Sequence, residues 1–156
     1  MKEQLKSAVL TTLPIVGNLR ITTLDFKKIS SIDVVDERPT HNPDPFFKEC
    51  FEKFELFLKG NSHEIQLDFD LSGLTKFQKE VLKVMKSIPY GKVITYKDIA
   101  EKMKTRAYQA VGNACGKNPL LLIYPCHRVV GTKNLGGFAH GLLMKKKLLN
   151  LEARSL

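Results

Sequence analysis

Glu64-Ile-Gln-Leu-Asp-Phe-Asp-Leu-Ser-Gly-Leu-Thr-Lys-Phe-Gln78 changes its period halfway along. Up to Leu71 apolar and polar residues alternate, the pattern of a half-buried strand. Ser72-Gly73 breaks it. Thr75-Lys-Phe-Gln78 then has the form of a capping box, in which hydroxyl and amide satisfy each other's backbone N–H groups. Phe77, Val81, Leu82, Met85 and Ile88 follow at helical spacing. The junction predicts an α+β chain in two parts. Residues 1–72 form a small β-rich lobe with strands and one helix. Residues 73–156 form a mainly helical domain.

Towards the amino terminus, Asn18-Leu-Arg-Ile-Thr-Thr23 and Ser31-Ile-Asp-Val-Val35 read as short strands. In Asn42-Pro-Asp-Pro45, Asp44 can cap a helix with Pro45 at its first position. Phe47, Cys50, Phe51, Phe54, Phe57 and Leu58 keep helical spacing until Gly60, so Cys50 reads as a buried structural thiol. Towards the carboxyl terminus, Pro89-Tyr-Gly91 turns the chain and Thr95 caps a helix from Tyr96 to Met103. A short link through Lys104-Thr105 leads to a third helix, about Ala107 to Gly116. Two short helices with a tight link suggest a helix-turn-helix. Leu120 to Tyr124 reads as a buried extended run, and Leu142 to Arg154 as a final helix after glycine hinges.

Charge divides at the same junction. Residues 1–72 carry 9 Lys/Arg against 12 Asp/Glu, and residues 73–156 carry 16 against 4, within a net charge of +9. A basic half points to a polyanion, with nucleic acid first. No apolar run approaches the roughly 20 residues of a membrane span. The first residues lack the apolar stretch of a signal peptide. A cytoplasmic address is expected, or a nuclear one in a eukaryote. Cys50, Cys115 and Cys126 form no Cys-x-x-Cys pair, which argues against a disulfide scaffold or zinc ribbon. His41, His63 and His140 lack a second ligand at metal spacing, so no metal site is expected. Cys115 reads as a small core residue.

The chemistry concentrates in Tyr124-Pro-Cys126-His127-Arg128-Val-Val130. Cationic neighbours lower a thiol's pKa, and a His and an Arg follow this Cys directly. Adjacent residues on a strand face opposite ways. If Cys126 and His127 cooperate, the segment must be turned.

Pro125-Cys-His-Arg-Val129 resembles the signature of the O6-alkylguanine-DNA alkyltransferases, also called methylated-DNA–protein-cysteine methyltransferases. The likeness extends over Phe77-Gln78, Ile88-Pro-x-Gly91, Thr95-Tyr96-x-x-Ile99-Ala100, Ala110-Val-Gly112-x-Ala114, Asn118-Pro119, Gly136-Gly137 and Lys145-x-x-Leu-Leu149-x-x-Glu152, roughly residues 73–153. The resemblance implies in-line attack by Cys126 on an alkyl carbon at guanine O6, with O4-alkylthymine a second candidate. The alkyl group stays on the sulfur, so each molecule acts once. His127 would draw the thiol proton through a water and Glu152 would orient it. Tyr96 would bond guanine N3, supported by Asn118. Val129, Phe138, Ala139 and Lys145 would complete the pocket with Tyr96. No metal or organic cofactor is implied. The implied partner is double-stranded DNA, held at the minor groove without sequence preference by a monomer, with the lesion everted. Thr95, Tyr96, Arg106, Ala107, Tyr108, Gln109, Ala110, Gly112, Asn113 and Arg128 are the implied contacts.

Three positions depart from the pattern. Gln109 stands where an arginine usually fills the gap left by the flipped base, so Arg106 or Tyr108 is a candidate substitute. Phe138 replaces a common tyrosine. Ala139 replaces a small hydroxyl residue. Three rival readings remain: an alkyltransferase-like protein that binds lesions without transfer, a regulator using only the helix pair, and a cysteine hydrolase. The first lacks this cysteine, the second leaves the motif unexplained, and the third would turn over repeatedly.

Overall fold

The computed structural model describes residues 4–156; the leader-peptide expectation rests partly on residues outside that range. The chain divides into two compact units, Met1–Ser72 and Gly73–Leu156. The class is α+β, as the change of period predicts.

In the first unit β1 (Lys6–Leu13), β2 (Gly17–Thr23) and β3 (Ile29–Val34) form an antiparallel meander in the order β1-β2-β3. Ala8 pairs with Ile21, and Ile21 with Ile32. Helix α1 (Pro45–Leu58) starts as its sequence dictates: the Asp44 carboxylate accepts from the Phe46 N–H at 2.9 Å, with Pro45 in the first turn. Its buried face is Phe46, Phe47, Cys50, Phe54, Phe57 and Leu58.

The expected strand over Glu64–Leu71 is corrected. Burial does alternate there, but the segment makes only an isolated parallel bridge, Ile29 to Phe69. Its ends are claimed by local bonds: Ser62 Oγ donates to the Glu64 carbonyl, and Ser72 N and Oγ donate to Asp70. Such bonds compete with a ladder.

In the second unit α2 (Lys76–Lys86), α3 (Tyr96–Lys102) and α4 (Tyr108–Gly116) pack on one another. Both capping boxes form: Thr75 with Gln78, and Thr95 with Asp98. Lys104, with φ +55, turns the link between α3 and α4. Strands β4 (Ile94–Thr95) and β5 (Val129–Val130) pair in parallel and tie the start of α3 to the cysteine segment. Helix α5 (Leu142–Arg154) closes the unit.

Leu120–Tyr124 is buried, but it is not extended. Leu122 has φ +73 and the Tyr124 N–H donates to the Leu120 carbonyl at 3.0 Å, so the run folds into a turn. Apolarity reported its burial and carried no information about its backbone. Among the described residues no helix is long and apolar enough to cross a membrane.

Candidate active site

Cys126, His127 and Arg128 occupy one turn of 3-10 helix. Three residues per turn send consecutive side chains in three directions. Cys126 borders a cavity of about 130 Å³ while His127 and Arg128 point into the interior. The cavity is walled by α4 through Gly112, Cys115 and Gly116, by Tyr96 and Asn118, and by the loop Gly137–His140.

Behind the sulfur lies a buried charge cluster around Glu152. Its Oε1 accepts from the Gly91 N–H at 2.8 Å and from Arg128 Nε at 2.7 Å. Its Oε2 meets His127 Nε2. Arg128 also donates from Nη1 to the Ile88 carbonyl at 2.9 Å and lies over the Tyr90 ring. Burial pushes the Glu152 carboxyl up, but hydrogen bonds from His127, Arg128 and Gly91 bring it below its ordinary value. Burial holds the His127 pKa below its ordinary value, against the pull of Glu152. An ionised carboxylate only accepts, so His127 Nε2 carries the proton. That leaves Nδ1 as a lone-pair acceptor, buried and without a hydrogen-bond partner among the described residues.

The expected lowering of the Cys126 thiol is corrected. Burial raises it, and the Asn118 hydrogen bond and the charge of Lys145 offset this only in part. The cations that follow the cysteine in sequence do not serve it: Arg128 is spent on Glu152, and the depressed His127 is neutral near pH 7. The resting sulfur is a thiol beside a neutral base.

Asn118 fixes the turn that carries the thiol. Its Nδ2 donates to the Tyr124 carbonyl at 2.8 Å, and its Oδ1 accepts from the Leu120 N–H at 2.9 Å. Tyr96 Oη donates to the Gly137 carbonyl at 3.2 Å. Gly136, with φ +71, admits that ring: a Cβ there would lie 2.7 Å from Tyr96 Cε2. Phe138 and Ala139 border the cavity.

Three implied roles are revised. Arg128, expected at DNA, is buried against Glu152, where its guanidinium pairs a carboxylate that would otherwise be a poorly compensated buried charge. Lys145, expected in the pocket, is fully buried; its Nζ donates to the carbonyls of Val129, Leu135 and Gly137 at 2.6, 2.5 and 2.8 Å. Val129 is fully buried, facing the core as part of β5. Arg106, Ala107, Tyr108, Gln109, Ala110 and Asn113 are exposed on or just before α4. The Thr95 hydroxyl is engaged as the α3 cap. The sequence reading missed Cys115 and His140 as cavity walls, and Ile88 and Gly91 as anchors of the charge cluster. Ile88 and Gly91 act there only through backbone atoms, so their side-chain identity carried no signal.

Residues 76–154 match the family model described as 6-O-methylguanine DNA methyltransferase, DNA binding domain. A methylated-DNA–protein-cysteine methyltransferase of Sulfolobus acidocaldarius is 40% identical over 144 residues, covering 92% of this chain and 87% of that one. One from Methanosarcina barkeri is 44% identical over 113 residues, 71% of each chain. The crystal structure of Mycobacterium tuberculosis OGT in complex with DNA superposes with a TM-score of 0.82 at 28% identity, covering 96% of this chain and 93% of that one. The chain belongs to the family of 6-O-methylguanine DNA methyltransferases, the methylated-DNA–protein-cysteine methyltransferases.

Proposed function

We propose that this protein repairs DNA by moving an alkyl group from O6 of guanine to Cys126, once per molecule. The observation that carries this is the thiol at a cavity wall, followed in the same 3-10 turn by a buried imidazole whose Nδ1 is left as an acceptor by the Glu152 contact at Nε2. His127 Nδ1 takes the thiol proton through a bridging water, and Glu152 holds the ring and stabilises its cationic form. The sulfur attacks the alkyl carbon, the S–C bond forms, the C–O6 bond breaks and the electron pair stays on the purine. Tyr96 Oη exchanges its bond to the Gly137 carbonyl for one to guanine N3 as that charge develops, and Asn118 holds the cysteine turn in register. Water does not cleave the resulting thioether.

A base in a duplex cannot be attacked in line, so the lesion must be everted into the cavity. The α3–α4 pair is the proposed DNA-reading element. Its exposed small residues Ala107 and Ala110, with Gly112 at the cavity rim, let backbone approach the minor groove. Arg106, Tyr108, Gln109 and Asn113 make the neighbouring contacts, with Thr95 at the start of α3. Binding is insensitive to sequence and salt-dependent. The protein acts as a monomer in the compartment that holds the DNA, the cytoplasm of a prokaryote, and O4-alkylthymine is a secondary substrate.

Intact-mass measurement after mixing with duplex DNA containing O6-methylguanine tests the proposal. The expected result is a gain of one methylene mapped to Cys126 and absent in Cys126→Ala. No gain in the wild type rejects transfer.

A further inference from the structure

The transfer described above makes no use of Lys145, yet its ammonium sits behind the tyrosine that the reaction uses. Lys145 is fully buried, and its Nζ donates to the carbonyls of Val129, Leu135 and Gly137. The Gly137 carbonyl also accepts from Tyr96 Oη, so one oxygen holds both groups. Nζ lies 5.9 Å from the centre of the Tyr96 ring. Tyr96, Gly137 and Cys126 border the same cavity.

The two bonds to that carbonyl are unequal. The ammonium stands at 2.8 Å, and a charged donor makes the stronger hydrogen bond. The phenol stands at 3.2 Å, beyond the roughly 2.5–3.0 Å usual for an O–H donor to oxygen. A carbonyl oxygen has two lone pairs, so both donors fit at once. The tyrosine ring itself is held, because it lies against Gly136, where a Cβ would come 2.7 Å from Cε2 and 3.2 Å from Oη. Burial keeps the phenol pKa above its ordinary value, so Oη carries a proton to donate. In the transfer Tyr96 gives up Gly137 for guanine N3. With Tyr96 as its sole donor, the carbonyl would be stranded at each exchange, at a cost. With Lys145 in place it keeps its stronger bond.

We propose that Lys145 is a positioning residue that acts through Tyr96: by holding the Gly137 carbonyl it releases the Tyr96 hydroxyl to the everted base. This rests on the reading that the cavity receives O6-alkylguanine and that Tyr96 meets its N3. Covalent changes are those of the transfer itself; one hydrogen bond is exchanged for another, and Lys145 gives up no proton.

The test measures single-turnover transfer from duplex O6-methylguanine by wild type, Lys145→Met and Lys145→Gln, each with and without Tyr96→Phe, at a temperature where melting curves show the proteins folded. Methionine and glutamine are both uncharged, so the loss of a cation near Cys126 is common to them, and only glutamine offers a donor. Without the hydroxyl there is no bond to exchange. Lys145→Met is therefore expected to slow transfer about tenfold more when Tyr96 is present than in the Tyr96→Phe background. Lys145→Gln is expected to recover part of that difference. Equal losses in the two backgrounds overturn this inference alone, because a structural or charge effect is indifferent to the hydroxyl. Failure of both Lys145 variants to fold overturns it too, since the ammonium then serves the fold. A Tyr96→Phe protein as fast as the wild type removes the N3 assignment and this inference with it. A wild type that accepts no methyl group overturns the whole reading.

Discussion

Arg128 donates from Nε to both oxygens of the Glu152 carboxylate, at 2.7 and 3.1 Å. A residue that the family resemblance placed at DNA is therefore part of the interior. The same carboxylate holds His127, so one acidic group on α5 organises two consecutive residues of the cysteine turn.

Arg128→Ala is expected to act on stability. It strands Glu152 in a buried site and frees the Ile88 carbonyl. Breaking such a pair costs about 3–5 kcal/mol. Chemical denaturation should show that loss, while the salt dependence of DNA binding stays as in the wild type. A reduced salt slope with unchanged stability would place Arg128 at a phosphate instead.

Acid is expected to destabilise the fold in two stages. Burial keeps His127 below its ordinary value of about 6.5. Below that pH the unfolded chain binds a proton that the folded chain refuses, so stability falls as pH drops towards the folded value. Glu152 is also held low; its contribution is intact above the ordinary carboxylate value of about 4.3 and disappears as pH falls through the folded one. Denaturation midpoints from about pH 7.5 down to about 5.5 should decline, with a flatter slope in His127→Gln. Identical slopes would remove His127 as the origin.

Lys145→Met is expected to loosen the cavity wall. The substitution keeps the buried aliphatic stem and leaves the carbonyls of Val129, Leu135 and Gly137 without their donor. Unsatisfied buried acceptors cost on the order of 1–3 kcal/mol each, less whatever relaxation recovers. The melting temperature and the transfer rate should fall together. A variant as stable as the wild type would show that these carbonyls find other partners.

The exposed end of α4 should separate binding from eversion. Arg106→Ala is expected to weaken duplex binding and lower the salt slope by about one phosphate contact. Tyr108, 46% exposed, is the aromatic group available to fill the stack. Tyr108→Ala should slow transfer from duplex DNA and leave transfer from the free base O6-benzylguanine unchanged, since a free base needs no eversion. Should neither variant affect duplex repair, the gap is filled by another group.

What the sequence determined by itself is whatever is decided within a turn or two of chain. Asp44-Pro45, Thr75-Gln78 and Thr95-Asp98 set helix starts because a cap and its partner lie two or three residues apart. The α+β division followed from a change of period, whereas the roles proposed for Cys126, His127, Asn118, Tyr96 and Glu152 came from the family resemblance. Tertiary structure alone decided where long polar side chains point. The resemblance placed Arg128 at DNA and Lys145 in the pocket, yet both are buried, because partners 24 residues away on α5 and 8 to 16 residues away in β5 and the loop after it receive their hydrogen bonds. The same holds for the sulfur, whose protonation follows from burial and from a neutral imidazole rather than from the cations beside it in the chain. Desolvation depends on everything packed around a group, and sequence neighbours are a small part of that surrounding.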